Sequence, residues 1–465
     1  MNHLSTYNNY PCSFVKNEWA TIGKSALDLF DPVTGEPRGH AVCADYQTIR
    51  TAVDVSKVAF KSWKSSTPSE RASALLKIAD HLEREIGLFA SEESLSTGKP
   101  FNQAQDEVRA SADVFRFYAG AIRTLEAPSG NFITAHTSFV IHEPIGAWAV
   151  ILPWNYPLLM LAWRVAPLIA TGNTVIIKPA PTTPDTASSF AIMAKAYLPE
   201  GVVQTIIGGD VEGEVLTKLN VDGIAFTGST QTGLKIRALR PEIPMSMELG
   251  GNGAVVVMPD APTDTADVIF NAMTYNAGQS CASPTRVIVV GQNKYFVDRL
   301  TALVEKSNAT DFGPLNSKEQ LNRATRLLET DAHERIVRGY APETGNYFPA
   351  VLVFVKSNYV AVVRDEVFAP LLTIQFVADI DEAIKTANSV SQALGNSVHS
   401  NNISVALHIA NQIAGGECWI NTHLVQSPEL PHSGRKSSGT GIDLSTDAMN
   451  EFMRPKTITI RNTYG

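Results

Sequence analysis

Cysteine is scarce in this chain. Cys12, Cys43, Cys281 and Cys418 are few for 465 residues and lie far apart, which argues against a disulfide framework and for a reducing compartment. No CxxC or HExxH spacing occurs and the ten histidines are scattered, so no metal site is expected. There is no run of like charges, and a net charge of -8 gives no footprint for nucleic acid. The most apolar stretch, Ile145 to Ala170, is interrupted by Pro153, Asn155, Pro157, Arg164 and Pro167 and does not read as a spanning helix. The opening MNHLSTYNNYPCSF has neither a basic segment nor an apolar one and does not read as a signal peptide. A cytoplasmic protein is expected, with no membrane or nucleic-acid partner. The dinucleotide fingerprint GxGxxG is also missing.

What is present is the pattern of an α/β protein long enough for two or three domains. Thr67, Pro68 and Glu70 form a helix start, apolar residues then recur at helical spacing, and Gly98 fits a stop, so one long amphipathic helix is expected. From residue 140 on, GAWAVILP, NTVIIKPA, VVQTIIGG, GIAFTG and AVVVM read as buried strands separated by helical segments. That repetition predicts a doubly wound sheet with its ligands at the carboxyl ends of the strands. A second α/β stretch follows from about Asn252 to Asn421, with TRVIVV, LLTIQFV and ECWINT as strands. TSFVIHEP and KTITIRN fit neither sheet and suit edge pairing or an oligomer contact.

Cys281 sits in YNAGQSCASPTR, among small and polar residues rather than in an apolar run. A free cysteine is most often a small buried hydrophobe, so its surroundings must argue for reactivity. Gly228-Ser229 follows a strand and opens a helix, which aims backbone N–H groups at an anion, although such an entry is more often an ordinary cap. Lys178 ends another strand, where a basic side chain reaches a ribose or phosphate or is merely solvated.

PWNYP (153 to 157), KPA, FTGST, MELGGN, NAGQSCASPTR, EVFAP and SGRKSSGTG occur in an order that resembles the aldehyde dehydrogenase superfamily, and STGKP at the end of the long helix also fits. Asn155 to Lys178 is 23 residues and Glu248 to Cys281 is 33, close to the family spacing. The resemblance implies an α/β fold with a Rossmann-type cofactor domain (1–121 and 143–249), an α/β catalytic domain (250–446) and a small β oligomerisation element (122–142 and 447–465). It implies an NAD(P)-dependent enzyme that oxidises a small-molecule aldehyde to a carboxylic acid, and a dimer or tetramer.

By that resemblance, Cys281 is the nucleophile, Asn155 and the Cys281 backbone N–H hold the oxyanion, and Glu248 is the base that releases the acid. Pro153, Trp154, Lys178, Pro181, Gly228, Ser229, Leu249, Glu366 and Phe368 fall at cofactor positions. Pro181 stands where the family often has a glutamate that favours NAD, so NAD is expected with NADP tolerated. Asn252 and Ala369 replace a common lysine and glycine. The Cys281–Glu366 span is shorter than in the family, with the difference falling in SNATDFGPL and HERIVRGYAPETGNYFP, which read as surface loops.

Within the superfamily, DVFRFYAG, TAHTSFVIHEPIG and NTHLVQSPELPHSG look most like 4-aminobutyraldehyde dehydrogenases. Tyr156 and Trp163 would then bracket a substrate ammonium, with Asp113 and Glu429 as carboxylate partners. Succinate semialdehyde and aromatic aldehydes are the alternative substrates, and a non-catalytic relative is the alternative class. Arginines in the pocket would favour a semialdehyde acid; carboxylates and aromatics would favour an amine.

Overall fold

Thr67 caps its helix as its sequence requires. The Thr67 side chain accepts from the Glu70 N–H at 3.2 Å while the Glu70 carboxylate accepts from the Thr67 N–H at 2.7 Å. The expected single helix is two, Pro68–Arg84 and Ile86–Thr97, and Gly98 ends the second in the left-handed region at φ 79°. The break at Glu85 turns the second helix so that Glu93 points inward, where its carboxylate accepts from the Leu158 N–H at 2.9 Å. Periodicity registers an apolar face but not this inward pair of carboxylates, Glu92 and Glu93. The computed structural model describes residues 6–7, 10–20 and 25–462. Part of the N-terminal stretch and the last three residues therefore lie outside the described residues.

The first sheet has seven strands. Five are parallel, in the order Met245–Glu248, Gly223–Thr227, Ala147–Ile151, Thr174–Lys178, Val203–Thr205. Ser13–Val15 and Glu18–Ala20 add an antiparallel edge. The chain winds outward from Ala147–Ile151 to Val203–Thr205, then returns to build on the other flank of the same strand. This makes the carboxyl end of Ala147–Ile151 a topological switch point, the place where such sheets bind ligands.

AVVVM, grouped with these strands by sequence, belongs elsewhere. Gly253–Val257 lies in a second seven-stranded sheet between Pro284–Val290 and Gly395–His399. The two sheets are thus joined by the short link after Glu248. Gly395–His399 escapes a hydrophobicity reading because its sequence is GNSVH, although all five residues are buried. The segments expected as surface loops are not simply that. Arg335–Arg338 is the antiparallel edge strand of the second sheet, and Leu315, Val337 and Phe348 are core residues. Flanking arginines on a short edge strand hide its β character.

The two extended pieces pair with each other. Met453–Arg461 runs antiparallel to His136–Pro144 over nine residue pairs, and Ser129–Ile133 completes a three-stranded sheet. Among the described residues no helix is long and apolar enough to cross a membrane, and no group of three or more His, Cys, Asp or Glu is placed to hold a metal ion.

Candidate active site

The site forms where the carboxyl ends of the first sheet meet the amino ends of the second. Asn155 lies in the turn between Ala147–Ile151 and the helix Pro157–Ala170. The first free N–H groups of that helix are satisfied from outside: Glu93 accepts from Leu158, and Glu107 accepts from Leu159 at 3.1 Å. Buried Lys99 pairs with Glu107 and donates to the Asn155 carbonyl at 3.0 Å. The Asn276 side chain donates to the same carbonyl at 2.9 Å. The Asn155 amide donates one N–H to the Gln279 carbonyl at 2.9 Å, which leaves a second N–H for a ligand. Asn155 is therefore fixed against the loop that carries the thiol.

That loop is strained. Asn276 and Ala277 have φ of 50° and 52°, and Gly278 follows at 69°. Only glycine fits at 278, because a Cβ there would stand 2.5 Å from the Ala369 carbonyl carbon. The Gln279 side chain bridges the Asn276 carbonyl (3.0 Å) and the Asn316 N–H (2.9 Å). Half-buried Cys281 is thereby presented to a cavity of about 490 Å³. Cys281 precedes its strand, Pro284–Val290, rather than following one, so the rule that directs attention to carboxyl ends finds Asn155 and Glu248 but not the thiol.

Glu248 ends the last strand of the first sheet, as a strand-end glutamate should. It is buried outside the residues that line the cavity. One carboxylate oxygen accepts a long 3.4 Å bond from the Gly434 N–H and the other has no protein partner. Burial pushes its pKa well above the usual carboxylate range; the charge of His432 opposes this and that of Asp443 adds to it. A carboxylate of raised proton affinity with an unused oxygen is suited to take a proton from water.

The residues at cofactor positions collect at the same junction. Pro153, Trp154 and Pro181 are half-buried. The Trp154 ring meets the Phe368 ring edge-on, with centroids 5.3 Å apart. Ser229 caps the helix Thr230–Leu239 by accepting from the Thr232 N–H at 3.2 Å, and Gly228 donates to the Glu248 carbonyl at 3.1 Å. Buried Leu249 donates to the Ser438 carbonyl at 2.9 Å. Glu366 accepts from the Gly251 N–H at 2.9 Å, and a Cβ on Gly250 would strike its carboxylate. Burial pushes Glu366 up to about 7 against the pull of that N–H. Burial likewise pulls Lys178 down to about 8, opposed by Asp210, Glu212 and Cys43. A buried ammonium, a helix N-terminus and a carboxylate set against glycines, spread over adjacent loops, fit the phosphates and ribose hydroxyls of a dinucleotide.

Among the substrate candidates, Tyr156 and Trp163 both line the cavity. One face of the Tyr156 ring is already taken by the Lys99 ammonium, 4.3 Å from its centroid, and Trp163 packs on His432. Asp113 and Glu429 are corrected by the structure: both are exposed and neither lines the cavity. Asp106 and Glu107 line it instead. Asp106 lies two turns before Asp113 on the helix Phe101–Ala121, so helical phase picks the same face but cannot say how far along it the cavity lies, a difference of about 10 Å. Lys99, Glu107 and His432 were also missed as site residues. Lys99 lies in the STGKP motif and His432 in the PHSG segment, but their burial against the site is visible only in three dimensions.

A family model described as the aldehyde dehydrogenase family matches residues 19–458. An aldehyde dehydrogenase of Aspergillus niger is 34% identical over 439 residues, which cover 90% of this chain and 88% of that protein. The crystal structure of an NAD-dependent aldehyde dehydrogenase from Sinorhizobium meliloti superposes with a TM-score of 0.93 at 30% identity, over 98% of this chain and 95% of that one. A betaine aldehyde dehydrogenase from Staphylococcus aureus, solved in complex with NAD+ and bearing a modified cysteine, gives 0.91 at 26% identity over 98% of both chains. The strained loop presenting a thiol beside a fixed asparagine amide thus sits in a fold shared along nearly its whole length with these enzymes, and the chain belongs to the aldehyde dehydrogenase family, whose members oxidise aldehydes to carboxylic acids.

Proposed function

We propose that this enzyme oxidises an ω-amino aldehyde of the 4-aminobutanal class, using NAD. The observation that carries the substrate class is the cavity wall: Asp106, Glu107, Tyr156, Trp163 and Tyr275 line it, and among the described residues no arginine or lysine does. A carboxylate-bearing semialdehyde would find no arginine or lysine there, and the His432 imidazole in the wall is already paired with the Glu417 carboxylate. Glu107 is already neutralised by Lys99, whereas Asp106 has only the exposed Arg109 at 2.9 Å, a contact of little strength. Asp106 is therefore the carboxylate free to meet an ammonium, taking the part that sequence reasoning gave to Asp113 and Glu429.

In the chemistry, Cys281 attacks the aldehyde carbon, and the free N–H of the Asn155 amide and the Cys281 backbone N–H receive the oxyanion. Bound NAD supplies the hydride acceptor. Glu248 takes a proton from the water that cleaves the thioester on Cys281. Trp154, Phe368 and Glu366, with Pro153 and Leu249, would hold the nicotinamide end of the cofactor, and Lys178, Gly228 and Ser229 its adenosine and pyrophosphate end. The three-stranded sheet exposes Phe132, Ile133 and Ile460, which suits a homo-oligomer contact in a cytoplasmic dimer or tetramer.

The substrate reading is tested with butanal against 4-aminobutanal. The amine is expected to have the higher kcat/KM by about 10-fold, the ratio falling toward one in Asp106→Asn and in Trp163→Ala. Equal efficiencies in the wild type would overturn it. The aromatic lining of Trp163 and Tyr275 also favours a second reading, an aromatic aldehyde, and a benzaldehyde efficiency above that of 4-aminobutanal would put this reading in its place.

NADP is proposed as a weaker cofactor. Position 181 lacks the carboxylate that would repel a 2′-phosphate, but Asp210 and Glu212 act on Lys178 and keep negative charge nearby. Pro181→Glu is expected to raise the ratio of NAD to NADP efficiency by about 10-fold, through like-charge repulsion. An unchanged ratio in cofactor titrations would remove position 181 from the account.

A further inference from the structure

A histidine far from Cys281 in sequence meets its sulfur, and a carboxylate from a third element holds the other side of that ring. His432, in the short strand His432–Ser433, places Nε2 3.9 Å from the Cys281 Sγ, and its Nδ1 lies 2.7 Å from the Glu417 carboxylate at the start of the strand Glu417–Ile420. The Gln426 amide nitrogen reaches the same corner, 3.0 Å from His432 Nδ1 and 3.3 Å from the Glu417 oxygen that faces it. The imidazole is buried at 2% exposure and the Trp163 ring packs against it, with centroids 5.2 Å apart. The Glu417 carboxylate can only accept and makes the shorter contact, so in the neutral ring it selects the tautomer in which Nδ1–H donates to Glu417 and the Nε2 lone pair faces the thiol. The order nucleophile, imidazole, carboxylate is that of hydrolases which generate their own nucleophile.

We infer that His432, oriented by Glu417, is a catalytic base for this enzyme and accepts the proton of Cys281. The inference rests on Cys281 being the nucleophile. In the step, the S–H bond breaks, its electron pair stays on sulfur, and the proton moves to Nε2. The thiolate then forms the C–S bond while the carbonyl π pair moves to oxygen. Neither movement changes an oxidation state, so the step needs no oxidant.

The electrostatics agree with the geometry. Burial disfavours the imidazolium, but the Cys281 sulfur and the Glu417 carboxylate outweigh it, so His432 is held well above the ordinary histidine range. The other titratable groups that act on it are Glu248 and Asp443. Asp443 is itself paired with Arg164 at 3.1 Å. Two acid–base groups thereby divide the work: His432 serves formation of the C–S bond and Glu248 its hydrolysis.

The test is iodoacetamide alkylation of the cofactor-free enzyme from pH 5 to 10, with the labelled peptide identified by mass spectrometry. Wild-type labelling at Cys281 is expected to stay fast at pH 6.5. His432→Phe is expected to be slower there by about 10-fold or more and equal to wild type at pH 10, as for a thiol that has lost its cationic partner. Glu417→Gln, which leaves the ring in place, should move the profile the same way by less. Superimposable profiles for wild type and both variants would overturn the role of His432 and leave Cys281 as the nucleophile. Fast labelling that maps to another cysteine while Cys281 stays unmodified in active enzyme would overturn the nucleophile assignment itself.

Discussion

Cys281→Ala is expected to bind NAD as the wild type does and to oxidise aldehyde at least about 10³-fold more slowly, because among the described residues no other thiol lines the cavity to take over the proposed adduct. The substitution is small and the site half-buried, so the fold should be untouched. The loop is held by Asn276, Gly278 and the Gln279 bridge rather than by the thiol. Loss of turnover with retained cofactor binding, read by NAD fluorescence quenching, separates a chemical role from a structural one. Turnover within 10-fold of wild type would remove Cys281 from the mechanism.

Glu248→Gln should fail later in the cycle. One Glu248 oxygen has no partner and the other accepts a long bond, so the isosteric amide keeps the packing and loses only the ability to take a proton. Hydride transfer does not need that proton. A stopped-flow trace is therefore expected to show a burst of reduced nicotinamide near one equivalent per site, followed by a steady rate lower by roughly 10²- to 10⁴-fold. A variant that loses the burst as well would place Glu248 in the first half of the reaction, beside His432.

How much of this was legible beforehand depended on scale. The paired carboxylates Glu93 and Glu107 that hold the helix after Asn155, and the polar strand Gly395–His399, contradict the pattern of buried apolar runs and stayed hidden. The helix cap at Thr67, the buried strands of the first sheet and the strand-end place of Glu248 follow from local rules, and there local rules sufficed. Cys281, Asn155 and Glu248 stand out as candidates in the sequence because each lies within a recognisable motif. His432 and Glu417 do not: they are 15 residues apart, and neither the two-residue strand that holds one nor the edge strand that starts with the other announces a contact with residue 281. Asp113 shares a helix face with Asp106, which lines the cavity, but lies two turns away from it, since sequence carries phase along a helix and not the position of a cavity.

The central claim is a thioester on Cys281 that Glu248 resolves. Its most direct measurement is the mass of the Glu248→Gln protein after mixing with NAD and 4-aminobutanal and quenching in acid, followed by mapping of the Cys281 peptide. The account predicts an added acyl group, on that peptide alone, in close to every subunit and absent when NAD is withheld. An unmodified Cys281 peptide in a sample that has produced its burst of reduced nicotinamide would contradict it.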